Sequence, residues 1–216
     1  SMDHKRAFAG DRGPNTGGMG VVAPNPYYTP EIAERCMRTI FRPTVDALRA
    51  EGRPFRGCLY FGLMLTADGP KVIEYNCRFG DPEAQAVLPL LRSDLLPILL
   101  SCTRGGLSEE LVRWKAGHSC CVILASDGYP GAFESGYEIT GTKLCREVYM
   151  AGGERKEGRL FSSGGRVLGV VGTGESLPEA IESAYRDVEK VYFKNMRYRR
   201  DIGARALRLM GGEDGI

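Results

Sequence analysis

Lys71-Val72-Ile73-Glu74-Tyr75-Asn76-Cys77-Arg78-Phe79-Gly80-Asp81-Pro82-Glu83 sets a carboxylate, an amide and a guanidinium at alternating positions of an extended apolar run. Successive side chains of a strand point to opposite faces, so Glu74, Asn76 and Arg78 are expected to share one. A hard anionic oxygen, a neutral oxygen and a phosphate-pairing cation then converge on a small volume. Mg²⁺ takes one or two carboxylate or amide oxygens from protein and leaves its other positions to phosphate and water, so the trio suits a magnesium–nucleotide site. Taken alone, the same spacing also describes an amphipathic strand whose polar face meets water. The residues just past the strand favour the metal site. Asp81-Pro82-Glu83 reads as a helix start, with Asp81 at the N-cap and Pro82 at the first helical position, and a helix N-terminus favours anions.

The chain has 216 residues, 43% of them hydrophobic, enough for one large domain or two modest ones with a sizeable core. Basic side chains number 29 and acidic ones 27, for a net charge of +2, which argues against nucleic acid held by a basic stripe and leaves small anions as ligands. Seven cysteines without a C-x-x-C pair, and two distant histidines, His4 and His118, support neither a disulfide framework nor a zinc site. Most of the thiols fall in apolar runs and read as buried, reduced, small hydrophobes. No apolar stretch reaches transmembrane length and no leader precedes Asp3, so a cytoplasmic protein without membrane contact is expected.

Outward from the opening stretch, Phe55 to Thr66, the turn Ala67-Asp68-Gly69-Pro70 and the strand Lys71 to Asn76 predict a β-hairpin. Upstream, Thr29-Pro30-Glu31 predicts a capped helix with a kink or break before Pro43, resuming to about Glu51. Residues 3 to 28 have the composition of a long ordered loop. Downstream, Ala84 to Leu100, interrupted by Pro89 and Pro97, reads as helices packed on the hairpin sheet and ending at Gly105-Gly106, and Ser108 to Lys115 as another short helix. From about residue 117 β-rich segments take over, at Ser119 to Ala125, Tyr137 to Thr140, Glu147 to Met150, Arg159 to Ser162 and Arg166 to Thr173. The capping box Ser176-Leu177-Pro178-Glu179 then opens a helix whose stripe Ile181, Ala184, Tyr185, Val188, Val191 and Tyr192 would cover one face of them. The tail Gly211 to Ile216 is expected to fray. The whole reads as α+β.

Gly13-Pro14-Asn15-Thr16-Gly17-Gly18-Met19-Gly20 has the glycines that let backbone approach a ligand and turn N–H groups inward, and equally those an irregular connection needs for its own turns. It is not a P-loop, since it lacks a trailing Gly-Lys-Ser/Thr. Asp3-His4-Lys5-Arg6 sets two cations beside it. Ser162-Ser163-Gly164-Gly165-Arg166 lies between β segments, where a hairpin turn accounts for it.

Together these stretches, with Gly164-Gly165-Arg166-Val167-Leu168 and Tyr198-Arg199-Arg200-Asp201-Ile202-Gly203, resemble the phosphoribosylamine–glycine ligases (glycinamide ribonucleotide synthetases) of the ATP-grasp superfamily, in the family's order over nearly the whole chain. The resemblance implies the C-terminal half of an ATP-grasp domain, an antiparallel sheet with helices over 1–116, followed by a small β-rich C-terminal domain over 117–216 covered by a helix. It implies ATP-dependent activation of glycine and its ligation to 5-phosphoribosylamine in purine biosynthesis, with ATP as co-substrate and Mg²⁺ (or Mn²⁺) as cofactor. Glu74 and Asn76 would hold the metal, and Arg78 would pair with the transferring phosphoryl group. Lys5, Arg6, Asn15, Thr16, Gly17, Gly18, Met19 and Asp81 would contact substrate. Two departures stand out: Cys58 to Thr66 carries no second metal-binding acid, and the family's N-terminal substrate domain and ATP lid have no counterpart here. The chain is therefore expected to be a C-terminal portion, inactive alone and partnered by the missing N-terminal portion. Another ATP-grasp carboxylate–amine ligase, and a non-catalytic folded fragment, are the alternatives.

Overall fold

A computed structural model describes residues 1–211. The glycine-rich N-terminal stretch is not the loop its composition predicts. It contains four short strands, β1 (Met2–Asp3), β2 (Arg6–Phe8), β3 (Arg12–Asn15) and β4 (Gly20–Ala23). Next come α1 (Pro30–Cys36), a five-residue π turn (Met37–Phe41) and α2 (Arg42–Ala50). Thr29 caps α1 by accepting from the Ile32 N–H at 3.4 Å, and the expected break before Pro43 takes the form of the π turn.

The predicted hairpin is present as β5 (Tyr60–Thr66) and β6 (Gly69–Asn76), paired antiparallel. After it come α3 (Glu83–Val87) and α4 (Leu95–Arg104). Pro97 falls in the first turn of α4, where its missing N–H removes no helical bond, and Gly105, in the left-handed region, ends the helix. The helix expected over Ser108 to Lys115 is one short 3₁₀ turn (Glu109–Leu111).

The remaining strands are β7 (His118–Ser126), β8 (Glu138–Ile139), β9 (Val148–Met150), β10 (Gly153–Lys156), β11 (Arg159–Ser162) and β12 (Arg166–Gly174). The chain continues through α5 (Leu177–Val188), β13 (Met196–Arg197) and α6 (Ala204–Met210). Ser176 caps α5 as predicted, accepting from the Glu179 N–H at 3.4 Å, but Tyr192 lies beyond the helix and is exposed. The tail expected to fray lies, from residue 212, outside the described residues.

By internal contacts the chain divides into two compact units, one of Ser1–Asn25, Asp81–Leu90 and the residues from Lys115 onward, the other of Pro26–Gly80 and Leu91–Trp114. This division crosses the sequence boundary at 116/117 for a definite reason. β4 pairs with β7, Gly20 opposite Val122 and Ala23 opposite Ser119, and so draws the N-terminal strands into an antiparallel sheet of order β1-β4-β7-β12-β9, with β13 also on β7. Both faces of that sheet are covered, so β7 reads as an unbroken apolar run rather than an alternation. Cys120, Val122, Leu124, Leu168 and Val170 share one buried cluster with Ala180, Ala184 and Val188 of α5. Cys121, Ile123 and Val171 share the other with Ala86 of α3. Thus α3, predicted to pack on the hairpin sheet, packs on this one. β10, β11 and β8 form a separate three-stranded sheet. All seven cysteines are free thiols, but against expectation only Cys36, Cys120 and Cys121 are buried; Cys58, Cys102 and Cys145 are half-buried and Cys77 is exposed. No helix among the described residues is long and apolar enough to cross a membrane.

Candidate functional site

In the second unit, β5 and β6 pair with Gly62 opposite Glu74 and Tyr60 opposite Asn76, and a bulge lies just after Gly62. Glu74 and Asn76 project from the same face, and the Asn76 amide donates to Glu74 Oε1 at 3.2 Å. The cross-strand glycine has a purpose here: a Cβ at Gly62 would lie 2.8 Å from Glu74 Cγ, so its absence keeps the space over the carboxylate clear. The Glu74 carboxylate, with the Asn76 amide beside it, fits the small protein share of a magnesium coordination shell. Among the described residues no group of three or more His, Cys, Asp or Glu side chains could form a closed metal cage, which such a site does not need. β6 ends at Asn76. Strand alternation therefore unites Glu74 with Asn76 but does not extend to Arg78, whose guanidinium donates to the Phe79 carbonyl at 2.8 Å.

The other predicted residues belong to the first unit, where the glycine stretch uses its donors internally. The Thr16 N–H donates to the Lys5 carbonyl (2.8 Å), Gly17 N–H to the Tyr129 hydroxyl (3.0 Å), Gly18 N–H to Thr16 Oγ1 (3.0 Å) and Met19 N–H to the His4 carbonyl (2.9 Å). With all four N–H groups committed, this is not an anion nest of backbone donors. Gly18 has φ +113°, and a Cβ there would lie 2.6 Å from Asp3 Oδ1 and 2.5 Å from Pro82 Cδ, so the glycine serves close packing. Met19 is fully buried. Among the predicted substrate contacts of this stretch, Lys5, Arg6 and Asn15 have exposed side chains; Arg6 Nη1 donates to the Gly13 carbonyl at 2.9 Å, and Lys5 pairs with Asp3 at 2.8 Å. The Asp3 side chain is only 8% exposed. Burial, opposed by Lys5 and reinforced by the nearby buried Glu83, pushes its carboxyl up to about 6.

Asp81 does not cap a helix. α3 begins two residues later, Pro82 occupies the cap position after a cis Asp81–Pro82 bond, and no side chain caps it. The Asp81 carboxylate instead accepts from Gln85 Nε2 (3.0 Å) and pairs with Arg166 (3.2 Å). Arg166 is the residue the sequence did not single out. Its Nη1 also lies within reach of the carbonyls of Gly17 (2.9 Å), Gly18 (3.4 Å) and Asp81 (3.0 Å), so one guanidinium from β12 fixes both the glycine stretch and the Asp81 turn. Tyr129 joins it from the far end of β7, packing where Gly165 has no side chain: a Cβ there would lie 2.2 Å from the ring. The only local signal was an arginine after two glycines, which a hairpin also explains.

The Tyr198–Gly203 motif is likewise structural. Arg199, buried, pairs with Asp11 (2.9 Å) and Asp201 (2.8 Å) and donates to the Arg6 carbonyl (3.0 Å). His4 Nε2 accepts the Gly203 N–H at 3.1 Å, which leaves Nδ1 to donate to the Gly20 carbonyl at 3.0 Å, and burial lowers the His4 pKa in keeping with a neutral ring.

Comparison with known proteins gives this arrangement a family. Residues 1–84 match the family model "Phosphoribosylglycinamide synthetase, ATP-grasp (A) domain" and residues 119–205 match its C domain. The chain is 48% identical over 206 residues to a phosphoribosylamine–glycine ligase of Caldanaerobacter subterraneus subsp. tengcongensis, covering 94% of this chain and 49% of that protein. It is 47% identical over 214 residues to the ligase of Synechocystis, covering 96% and 51%. The crystal structure of the Thermotoga maritima phosphoribosylamine–glycine ligase superposes with a TM-score of 0.83 at 42% identity, over 93% of this chain and 50% of that one. The chain thus spans about half the length of the curated relatives it matches. Carrying the A-domain and C-domain matches in that order, it belongs to the phosphoribosylglycinamide synthetase family of ATP-grasp proteins.

Proposed function

We propose that this chain supplies the metal-binding strand and the C-terminal domain of a phosphoribosylamine–glycine ligase. In the complete enzyme ATP phosphorylates the glycine carboxylate, and the amine of 5-phosphoribosylamine attacks the resulting acyl carbon. Phosphate leaves and glycinamide ribonucleotide forms, with ADP as the other product. The observation that carries this reading is the Glu74 carboxylate, opposite Gly62 and hydrogen-bonded by the Asn76 amide, inside the A-domain match. Mg²⁺ or Mn²⁺ held there would neutralise charge across the nucleotide phosphates, which is most of what phosphoryl transfer requires. Arg78, free of the strand, would pair with the transferring group.

Lys5, Arg6 and Asn15 would contact glycine or phosphoribosylamine with their side chains. Thr16, Gly17, Gly18 and Met19 would shape the backbone beneath, and Asp81 would be aimed by Arg166. We assign residues 1–116 to the ATP-grasp domain and 117–216 to the C-terminal domain of that enzyme, which acts in the cytoplasm. The missing portion brings the remainder of the nucleotide clamp, so the isolated chain is inactive.

ADP release tests the reading. The isolated chain shows no ATP- and glycine-dependent release, and the chain joined to the rest of a family synthetase shows it with glycine and phosphoribosylamine. Turnover by the isolated chain would contradict the fragment assignment, and turnover of the joined protein with a different acid or amine would make it another ATP-grasp ligase.

A further inference from the structure

With its N–H groups committed, the glycine stretch of the first unit can hold an anion only through side chains beside it, and one of these is placed to do so. The Tyr129 hydroxyl accepts the Gly17 N–H at 3.0 Å. A phenol that accepts through its oxygen keeps its own proton to give, and no protein oxygen among the described residues takes it. The contact joins the two family matches, since Gly17 lies in the A-domain match and Tyr129 in the C-domain match. The phenol is also held in place. Its ring fills the space a Cβ on Gly165 would need, its N–H donates to the Ser126 carbonyl at 3.2 Å, and its carbonyl accepts from Arg197 Nη2 at 2.7 Å. A donor fixed in this way loses little freedom on meeting a ligand.

The surroundings of the phenol are cationic. Arg166 donates to the Gly17 carbonyl at 2.9 Å, so a phenol and a guanidinium flank one glycine, and the Arg166 side chain is still 18% exposed. A Cβ on Gly17 would lie 3.0 Å from the guanidinium carbon, so the missing side chain is what lets Arg166 lie against the backbone here. The N–H and hydroxyl of Thr16 both donate to the Lys5 carbonyl, and Arg6 stands opposite Asn15 across β2 and β3, which puts two exposed cationic residues on the same stretch. Against Lys5, Arg6 and Arg166 stand the carboxylates of Asp3 and Asp81, and an excess of positive charge remains.

We propose that Tyr129 is a substrate contact, its hydroxyl donating to the phosphomonoester of phosphoribosylamine on this cationic face. The inference rests on the ligase reading. Glycine presents a carboxylate that must lie where it is phosphorylated, whereas the phosphate of phosphoribosylamine changes no bond in the reaction and serves only to be held. Its three terminal oxygens can accept from a phenol and from guanidinium or ammonium groups at once. Loss of the hydroxyl therefore weakens the hold on that phosphate and leaves glycine binding unchanged.

Calorimetry with ribose 5-phosphate, which has the phosphate but no amine to react, tests this on the chain joined to the rest of a family synthetase. The expected result is a binding heat whose affinity falls at least about tenfold in Tyr129→Phe, which keeps the ring against Gly165. Tyr192→Phe, at an exposed tyrosine of the same unit, changes it less than about twofold. In turnover, Tyr129→Phe raises KM for phosphoribosylamine at least about tenfold and leaves KM for glycine and kcat within about threefold. Difluorotyrosine at position 129, whose phenol ionises near neutral pH, separates donation from packing: its phenolate still accepts from Gly17 but has no proton to give, so affinity for ribose 5-phosphate falls through that pH range and that of the wild type does not. No heat with ribose 5-phosphate, equal affinities for wild type and Tyr129→Phe, an equal rise in KM for glycine, or a difluorotyrosine protein with the wild-type pH dependence would each overturn the proposal. A Tyr129-dependent heat in a protein that ligates no phosphoribosylamine to glycine would leave the phosphate contact standing and refute the assigned reaction.

Discussion

Asp3 shows how a single buried group sets a pH dependence. Its carboxyl is pushed up to about 6 in the folded chain against an ordinary 3.8, so the native state binds the proton more tightly than the unfolded state does. Stability from this group is then full below about pH 4 and is lost as pH rises through about 6, by of order 2–3 kcal/mol. Urea midpoints between those pH values should fall for the wild type and stay flatter for Asp3→Asn; equal slopes would remove Asp3 from the account. Arg166 makes the opposite case, a charge whose partners are all in place. Arg166→Met strands the Gly17, Gly18 and Asp81 carbonyls, and an unfolding free energy lower by about 1.5–3 kcal/mol is expected, with faster exchange of the Gly17 amide.

Between α5 and β12 the packing is close enough to test with one methyl group. A Cβ on Gly172 would lie 2.2 Å from the Ala184 nitrogen and 2.4 Å from the Ala180 carbonyl oxygen, both backbone atoms with no room to move. Gly172→Ala should lower the unfolding free energy by about 1–3 kcal/mol, read by denaturant titration. An unchanged midpoint would show that α5 does not press on the sheet.

Elements such as α5 are legible in the sequence because their signals are local: Ser176 and Thr29 cap the helices they precede, and Asp68-Gly69 turns the hairpin. The β4 strand is not, since Gly20–Ala23 is four residues behind a run of turn formers and its central partner strand, β7, is remote in sequence. The same holds at the site. Glu74 and Asn76 are legible from two-residue alternation. Asp81 reads as a cap because its true partner, Arg166, comes from β12, and the glycine stretch reads as a donor nest because nothing nearby announces that Tyr129 and the backbone of residues 4 and 5 take up its N–H groups.

Across the whole chain, stability and chemistry are unequally placed. The first unit holds the buried clusters, and the second holds the Glu74–Asn76 pair, proposed to bind metal, on a hairpin outside both of them. Hydrogen exchange on the isolated chain should therefore be slowest in β7 and β12 and much faster in β5 and β6, and limited proteolysis should cut first between residues 26 and 80. The most direct test of the central claim is calorimetry with Mg·ATP on the chain joined to the remainder of a family synthetase, compared with its Glu74→Ala variant. The account predicts a binding heat that the substitution abolishes or cuts severely; equal heats for the two proteins would contradict it.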